Sequence, residues 1–413
     1  METTRNWLKT IVLALLLLSS NVPAQWTQWG GPNQNFTIGS VTISTEWPKD
    51  GPKEIWRRDL GDGYSAISVD NGILYTMTRR SGKEATVALN AADGKTAWEF
   101  SYDFESWSDF NDHYGPGPHS TPVVYKNYVY TVGSRTDFYC LNKTSGEKVW
   151  SQNLWEKYGS EPRGRGFSSS PMIYKNMLII PSGGDGHGVI ALKPNNGDII
   201  WANQDFESTF SSPIIINVDG QDQLIVFANK YVTGLNPTNG ELLWKHTHRT
   251  QYNINAMTPL WGKNNILFIS SAYDGGSRGL RLSQNDGKTS VEELWYNRKM
   301  QIHHQSAVQF GDLIYGSSGD FGPAFLMAIK AETGKVEYQE RGFAKANFLL
   351  AGDKLIILDE NGQLAIASAT ADGLKVHSKK QVFTGRSWTA PTLIGTTLYL
   401  RDRKEILAID LSF

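Results

Sequence analysis

The chain has 413 residues, with 40 Lys and Arg against 41 Asp and Glu and a formal net charge of −1. That balance excludes nucleic-acid binding through a clustered basic surface. The 40 Gly, 16 Pro and 14 Trp suit an all-β protein of short strands and tight turns, and a single Cys, Cys140, excludes an intrachain disulfide.

At the N-terminus, Arg5 and Lys9 precede the apolar run Ile11-Val12-Leu13-Ala14-Leu15-Leu16-Leu17-Leu18, and Val22-Pro23-Ala24 follows. A charged start, an apolar stretch too short to span a bilayer and small residues before a cut predict a signal peptide over residues 1–24. The mature chain is then expected in the periplasm or outside the cell, with no transmembrane span. Its first residue would be Gln25 rather than a lipid-bearing Cys, so it is not expected to be a lipoprotein. Next comes a stretch over 25–52 containing Trp26, Trp29 and Trp47, and then an isolated strand, Lys53-Glu54-Ile55-Trp56-Arg57.

From there one phrase recurs: a small residue and Leu or Ile, a polar residue, a turn ending in Gly, and a polar stretch ending in Trp. It reads Ala88-Leu89-Asn90 to Trp98, Cys140-Leu141-Asn142 to Trp150, Ala191-Leu192-Lys193 to Trp201, and Gly234-Leu235-Asn236 to Trp244. Looser copies run Arg281-Leu282-Ser283 to Trp295 and Ala328-Ile329-Lys330 to Tyr338. Ala365-Ile366-Ala367 to His377 lacks the aromatic end, and Ala408-Ile409-Asp410 stops at the C-terminus. Eight copies spaced by 37 to 52 residues predict a radial repeat.

Within one period, Pro122-Val123-Val124-Tyr125, Tyr128-Val129-Tyr130-Thr131-Val132, Asp137-Phe138-Tyr139-Cys140-Leu141-Asn142 and Lys148-Val149-Trp150 read as four antiparallel strands. That is a WD40-like propeller blade. The last period has three strands and the orphan strand at Trp56 supplies a fourth, which would leave no open sheet edge in the ring. The fold class expected is all-β: an eight-bladed propeller over 53–413, closed by the N-terminal strand around Trp56. Residues 25–52 are expected to pack outside the ring, and Cys140 to be a buried structural thiol.

Loops from the fourth strand of one blade to the first strand of the next open on one face. Aligning the blades on Ser/Thr-Pro puts Tyr64, His119, Ser168, Phe210, Ala256, His304, Lys345 and Trp388 just before the inner strands, in a ring at the channel mouth. Aromatics, two imidazoles and an ammonium suit an anionic or planar ligand, held by stacking and charge-assisted hydrogen bonds. His119 and His304 fall on blades two and six, so they face each other across the axis, too far apart to chelate one metal; no metal site is expected. Two long loops, Tyr102 to Pro118 and Ser151 to Phe167, share this face and bring Arg163 and Arg165 near Arg386 and Trp388. The candidate ligand-binding set is therefore Tyr64, His119, Phe210, His304, Lys345, Trp388, Arg386, Arg163 and Arg165, with no catalytic residue assigned.

The Ala-Leu-Asn…Asp-Gly-Lys…Trp phrase resembles the repeat of pyrroloquinoline-quinone (PQQ)-like β-propellers, over roughly residues 47 to 413. Arg386-Ser387-Trp388-Thr389-Ala390-Pro391 through Leu398-Tyr399-Leu400-Arg401-Asp402 looks like the closing blade of secreted bacterial members. Trp26-Thr27-Gln28-Trp29-Gly30-Gly31-Pro32-Asn33 looks like their start. The group includes quinoprotein dehydrogenases and the propeller lipoprotein of the outer-membrane β-barrel assembly machinery. The dehydrogenases carry a disulfide of adjacent cysteines beside the cofactor, which one Cys cannot make, and none of their calcium-binding acids is carried over to a residue of this chain. The resemblance thus implies a secreted, non-catalytic binding scaffold, monomeric, with no cofactor, holding a protein, peptide or carbohydrate on its loop face. The alternative it implies is a PQQ-dependent dehydrogenase of an alcohol or sugar, using PQQ with calcium.

Overall fold

Short β-branched and aromatic runs, each bounded by turns rich in Gly, Asn and Asp, pair with their sequence neighbours along the whole chain. The computed structural model describes residues 25–370 and 373–412; the expected signal peptide lies outside the described residues. Eight four-stranded antiparallel sheets form a ring, an eight-bladed β-propeller. Blade 1 shows the plan: Ser68–Asp70 innermost, then Ile73–Arg80, Lys83–Asn90 and Thr96–Asp103 at the rim. Blades 2 to 7 span 123–153, 172–203, 214–247, 260–297, 308–340 and 346–381. Blade 8 joins Thr392–Ile394, Thr397–Arg401 and Glu405–Asp410 to Lys53–Asp59. The closing strand pairs Trp56 with Ala408, in the register the repeat requires.

The register explains the repeated phrase. Each small residue stands directly opposite its aromatic partner, as in Ala88–Trp98, Cys140–Trp150, Ala191–Trp201, Gly234–Trp244 and Ala328–Tyr338, and a bulge follows at once. The ring lies across the small residue and reaches the turn of the next blade. Trp98 donates from Nε1 to the Lys143 carbonyl (2.9 Å) and Trp150 to that of Pro194 (2.9 Å). The turn Gly is needed there: Gly146 has φ +75°, and a Cβ on it would lie 2.6 Å from the Trp98 ring. Trp98, Trp150, Trp201 and Trp295 therefore each join two blades, whereas Trp244 donates to Gln223 Oε1 of its own blade (2.7 Å). Cys140 is fully buried between blades 2 and 3, where burial pushes its thiol up to about 12 and leaves it inert.

Two repeat readings need correction. In the fifth copy Gly279, not Arg281, stands opposite Trp295. A slip of two residues keeps every side chain on its own face, so alternation alone could not detect it. In the seventh copy the bulge comes one residue later, between Ile366 and Ala367, so His377 has no partner in the strand pairing, Lys379 stands opposite the small Ala365, and Ser378 stands opposite Ile366. The Ser378 Oγ donates to the Thr45 carbonyl (2.7 Å) and accepts from the Trp47 N–H (3.1 Å).

A third correction concerns residues 25–52, which do not simply pack outside. Their first part lines the inner strands around the axis. Trp26 bridges Val69, Thr27 accepts from the Val124 N–H (2.8 Å), and Gln34 Oε1 accepts from the Ile215 N–H (3.0 Å). Thr37–Ile38 then adds in parallel to Leu350 and Ala351 of blade 7. The inner strands present unpaired backbone groups to the channel, and this segment satisfies several of them. Only its later part, at Thr45 and Trp47, reaches the outermost strand of blade 7.

Candidate functional site

A belt of short polar side chains links the starts of successive inner strands. Thr121 Oγ1 accepts from the Ala66 N–H (3.1 Å), Ser170 Oγ from Thr121 (3.0 Å) and Ser212 Oγ from Ser170 (2.9 Å). Across the ring, Asn347 accepts from the Ser306 N–H (3.1 Å) and donates to the Trp388 carbonyl (3.0 Å), and Thr389 donates to that of Tyr64 (3.1 Å). These buried contacts hold the ring residues His119, Ser168, Phe210, His304 and Lys345, each two positions upstream of Thr121, Ser170, Ser212, Ser306 and Asn347. That is why the Ser/Thr-Pro alignment located the mouth.

All eight ring residues, Tyr64, His119, Ser168, Phe210, Ala256, His304, Lys345 and Trp388, line one cavity of about 610 Å³. Arg165 and Arg386 line it too. Of the nine candidates only Arg163 does not; it donates to the Asn253 carbonyl (3.0 Å) and lies 5.4 Å from the Phe210 ring. The two long loops meet each other, with the Asn111 N–H donating to Gly164 (2.7 Å) and Arg165 to Asn111 Oδ1 (2.8 Å).

Rings from blades 1, 2, 5, 6 and 8 form a contiguous row around the mouth. His119 stacks on Tyr64 at 5.7 Å and 8°, Tyr64 meets Trp388 at 5.0 Å, and Trp388 meets His304 at 4.8 Å. His303 and Tyr273 continue the row, with Tyr273 Oη 2.9 Å from His303 Nε2. Trp29 of the axial segment also lines the cavity, its Nε1 donating to Thr258 Oγ1 (2.7 Å). Sequence reasoning missed Trp29 because its site depends on the axial path of residues 25–38. It missed Tyr273, Asp320 and Phe321 because they sit on second-to-third-strand loops, which open on the same face. Tyr114 was legible as an aromatic in the first long loop.

The imidazoles do not supply positive charge. Burial holds His119 down at about 4 and His303 at about 3, and drives His304 well below the usual histidine range, with the Lys345 ammonium acting in the same direction on His303 and His304. Charge-assisted binding by these rings is thereby corrected: at neutral pH they are neutral donors or acceptors. The cations are Arg165, Arg386 and Lys345, and the lining carboxylates are Asp320 and Glu360.

Because these folded-state values lie below the unfolded value of about 6.5, the unfolded chain takes up protons first as pH falls. Stability should be fully present above pH 7 and decline from about 6.5 downward, by on the order of 1 kcal/mol for each of His119, His303 and His304 at pH 5.5. Thermal melts at pH 7.5 and 5.5, the latter still above the ordinary carboxylate range, should show a clear drop. Equal midpoints would contradict the burial of the three rings.

The PQQ_2 repeat family, described as "Outer membrane protein assembly factor BamB", matches residues 87–340. The chain belongs to this family of PQQ-like β-propellers. Curated relatives described as outer membrane protein assembly factor BamB include one from Yersinia pestis, 24% identical over 340 residues, covering 76% of each chain. Another, from Moranella endobia, is 24% identical over 338 residues, covering 76% of this chain and 78% of the relative. Among solved structures, BamB from Moraxella catarrhalis superposes with TM-score 0.60 at 16% identity, covering 87% of this chain and 99% of that one. A quinohemoprotein alcohol dehydrogenase from Comamonas testosteroni superposes with TM-score 0.65 at 13% identity, covering 94% and 80%. At such identities these two likenesses bear on the fold alone.

The cavity's donor set does not match calcium-bound PQQ. Calcium takes about six to eight oxygen ligands, rich in carboxylate. Glu360 instead accepts from Trp388 Nε1 (2.8 Å) and lies 3.8 Å from Lys345 Nζ, while Asp320 accepts from the Tyr273 N–H (3.1 Å). An ammonium beside Glu360 opposes a divalent cation there.

Proposed function

We propose that this protein is an exported, monomeric, non-catalytic scaffold that holds a protein partner on the loop face of its propeller. The mouth cavity carries the reading. It is built on rigid inner strands, it is walled by aromatic rings, and its lining includes the exposed aromatics Tyr114, Tyr252 and Phe321, which come from loops of different blades. Tyr, Trp and Arg in a concave site are the composition of protein-binding hot spots. The naming of its relatives as assembly factors agrees with a partner-holding role.

The test places a photo-crosslinking residue at Phe321 on the loop face and, as control, at Val149 on the blade rim, in the native host. Discrete adducts are expected from position 321 and none from 149; adducts from neither position, or only from 149, would defeat the reading. The competing PQQ-dependent dehydrogenase is addressed by titrating the purified chain with PQQ and calcium and following tryptophan quenching and dye reduction with alcohols. No saturable binding is expected. Stoichiometric binding with turnover would replace the scaffold by an enzyme.

A further inference from the structure

We infer that the mouth cavity is a receptor for a carboxylate carried on a peptide, and that Arg386 is the residue that takes it. The inference rests on the protein-partner reading above and names the chemistry the partner presents.

Charge accounting around the cavity singles out Arg386. Arg165 is engaged by Asn111 Oδ1 (2.8 Å), and Lys345 by the Asp320 carbonyl (3.2 Å) and Glu360 (3.8 Å). Both lining carboxylates already accept hydrogen bonds, Glu360 from Trp388 and Asp320 from Tyr273. The histidines are neutral. Among the described residues, Arg386 has no side-chain hydrogen bond and no ion pair. Instead its guanidinium lies 4.8 Å from the centre of the Trp388 ring and 5.3 Å from that of Tyr114. Aromatic contacts of this kind leave the N–H groups unspent, and the guanidinium fork matches the two oxygens of a carboxylate.

Three cations against two carboxylates leave an excess of one positive charge, which suits a monoanion. A phosphate monoester, with nearly two negative charges, would call for a second free cation, and Arg165 and Lys345 already have partners. A peptide is favoured over a bare organic acid by what lines the rest of the cavity. Phe321 is 78% exposed and Tyr252 48%, both at the cavity, and a small acid on Arg386 would leave them uncovered. Both rings meet Tyr273, and apolar residues next to the carboxylate along a peptide would cover them.

The test uses the purified full mature chain and isothermal titration calorimetry. The probes are acetyl-Phe-Gly-Asp-Gly-Phe-amide, its Asn counterpart, its phosphoserine counterpart, and acetyl-Phe-Gly-Gly-Phe as free acid and as amide. The Asp peptide is expected to bind at least tenfold more tightly than the Asn peptide. Arg386→Gln should abolish that preference and Arg386→Lys keep part of it, while Arg80→Gln, at an arginine paired with Glu99 outside the cavity, should leave it intact. Arg386 is exposed, so its variants should melt like the parent, which separates lost binding from lost folding. If the free-acid peptide binds and the Asp peptide does not, the carboxylate is a chain terminus, which also supports the inference. Equal affinity for Asp and Asn peptides with no preference for the free acid, tighter binding of the phosphoserine peptide, or an undiminished preference in Arg386→Gln would overturn it. Cross-linking at position 321 with no carboxylate preference would leave the scaffold reading standing and remove this one alone.

Discussion

Replacing Arg401 with Met should destabilise the propeller by about 3 kcal/mol, the cost of stranding several buried acceptors. Arg401 is fully buried at the seam between blades 8 and 1. It donates to the carbonyls of Gly63 (3.0 Å), Ser65 (3.0 Å) and Met77 (2.8 Å) and to Thr76 Oγ1 (2.8 Å). Burial lowers its guanidinium to about 10, which still leaves it charged at pH 7. Met fills much of the volume and removes the charge, so the loss reports the acceptors left without donors. The Ser65 carbonyl keeps the Thr76 hydroxyl (3.0 Å), which is why the expected figure is below the sum of four bonds. Denaturant unfolding measures it, and an unchanged midpoint would refute the assignment. There should also be a functional consequence. Gly63 and Ser65 flank Tyr64, so Arg401→Met should loosen the Tyr64 ring between His119 and Trp388 and weaken peptide binding at the mouth.

Trp56→Ala should cost about 3 kcal/mol as well, with a different signature. The Trp56 ring lies over the turn at Gly94, donates to the Ala91 carbonyl (2.9 Å) and sits 6.2 Å from Tyr399. Trp98 makes equivalent contacts one blade on, so Trp98→Ala is the matched comparison. The difference lies in connectivity: Trp56 anchors the strand that covers the edge of Glu405–Asp410, whose pairing partner is nearly the length of the chain away. Loosening it opens the ring and exposes a sheet edge. Trp56→Ala should therefore aggregate on heating at a temperature where Trp98→Ala stays monodisperse, as light scattering would show. Identical behaviour of the two variants would mean that closure does not depend on Trp56.

The architecture was readable because its information is local and repeated. Ala88, Cys140, Ala191 and Gly234 announce a Trp opposite them, and the turn glycines Gly94, Gly146, Gly197, Gly240 and Gly334 announce the Trp of the preceding blade, so most blades restate the same packing rule. Even the closing strand followed from counting an unmatched Trp. The reading failed where the rule bends. A two-residue slip at Gly279 is invisible to a period-2 pattern, and the Ser378 position is decided by a bulge that hairpin length does not reveal.

The mouth was partly legible. Ser/Thr-Pro marked the inner strands and so put His119, His304, Lys345 and Trp388 in one ring, and the cavity contains them all. Their electrostatics were not legible, because a histidine's titration depends on how deeply neighbouring loops bury it.

By itself, then, the sequence determined the eight-fold plan, the closure at Trp56 and the circle of residues around the axis, since each follows from spacing within a single blade. Only the tertiary structure decided that Trp29 and the axial segment reach the cavity from the opposite side, that the imidazoles are neutral, and that Arg386 alone among the cavity's cations lacks a polar partner among the described residues. Those properties arise where segments far apart in the chain converge. Burial, pairing and charge compensation belong to that convergence and not to any one stretch of residues.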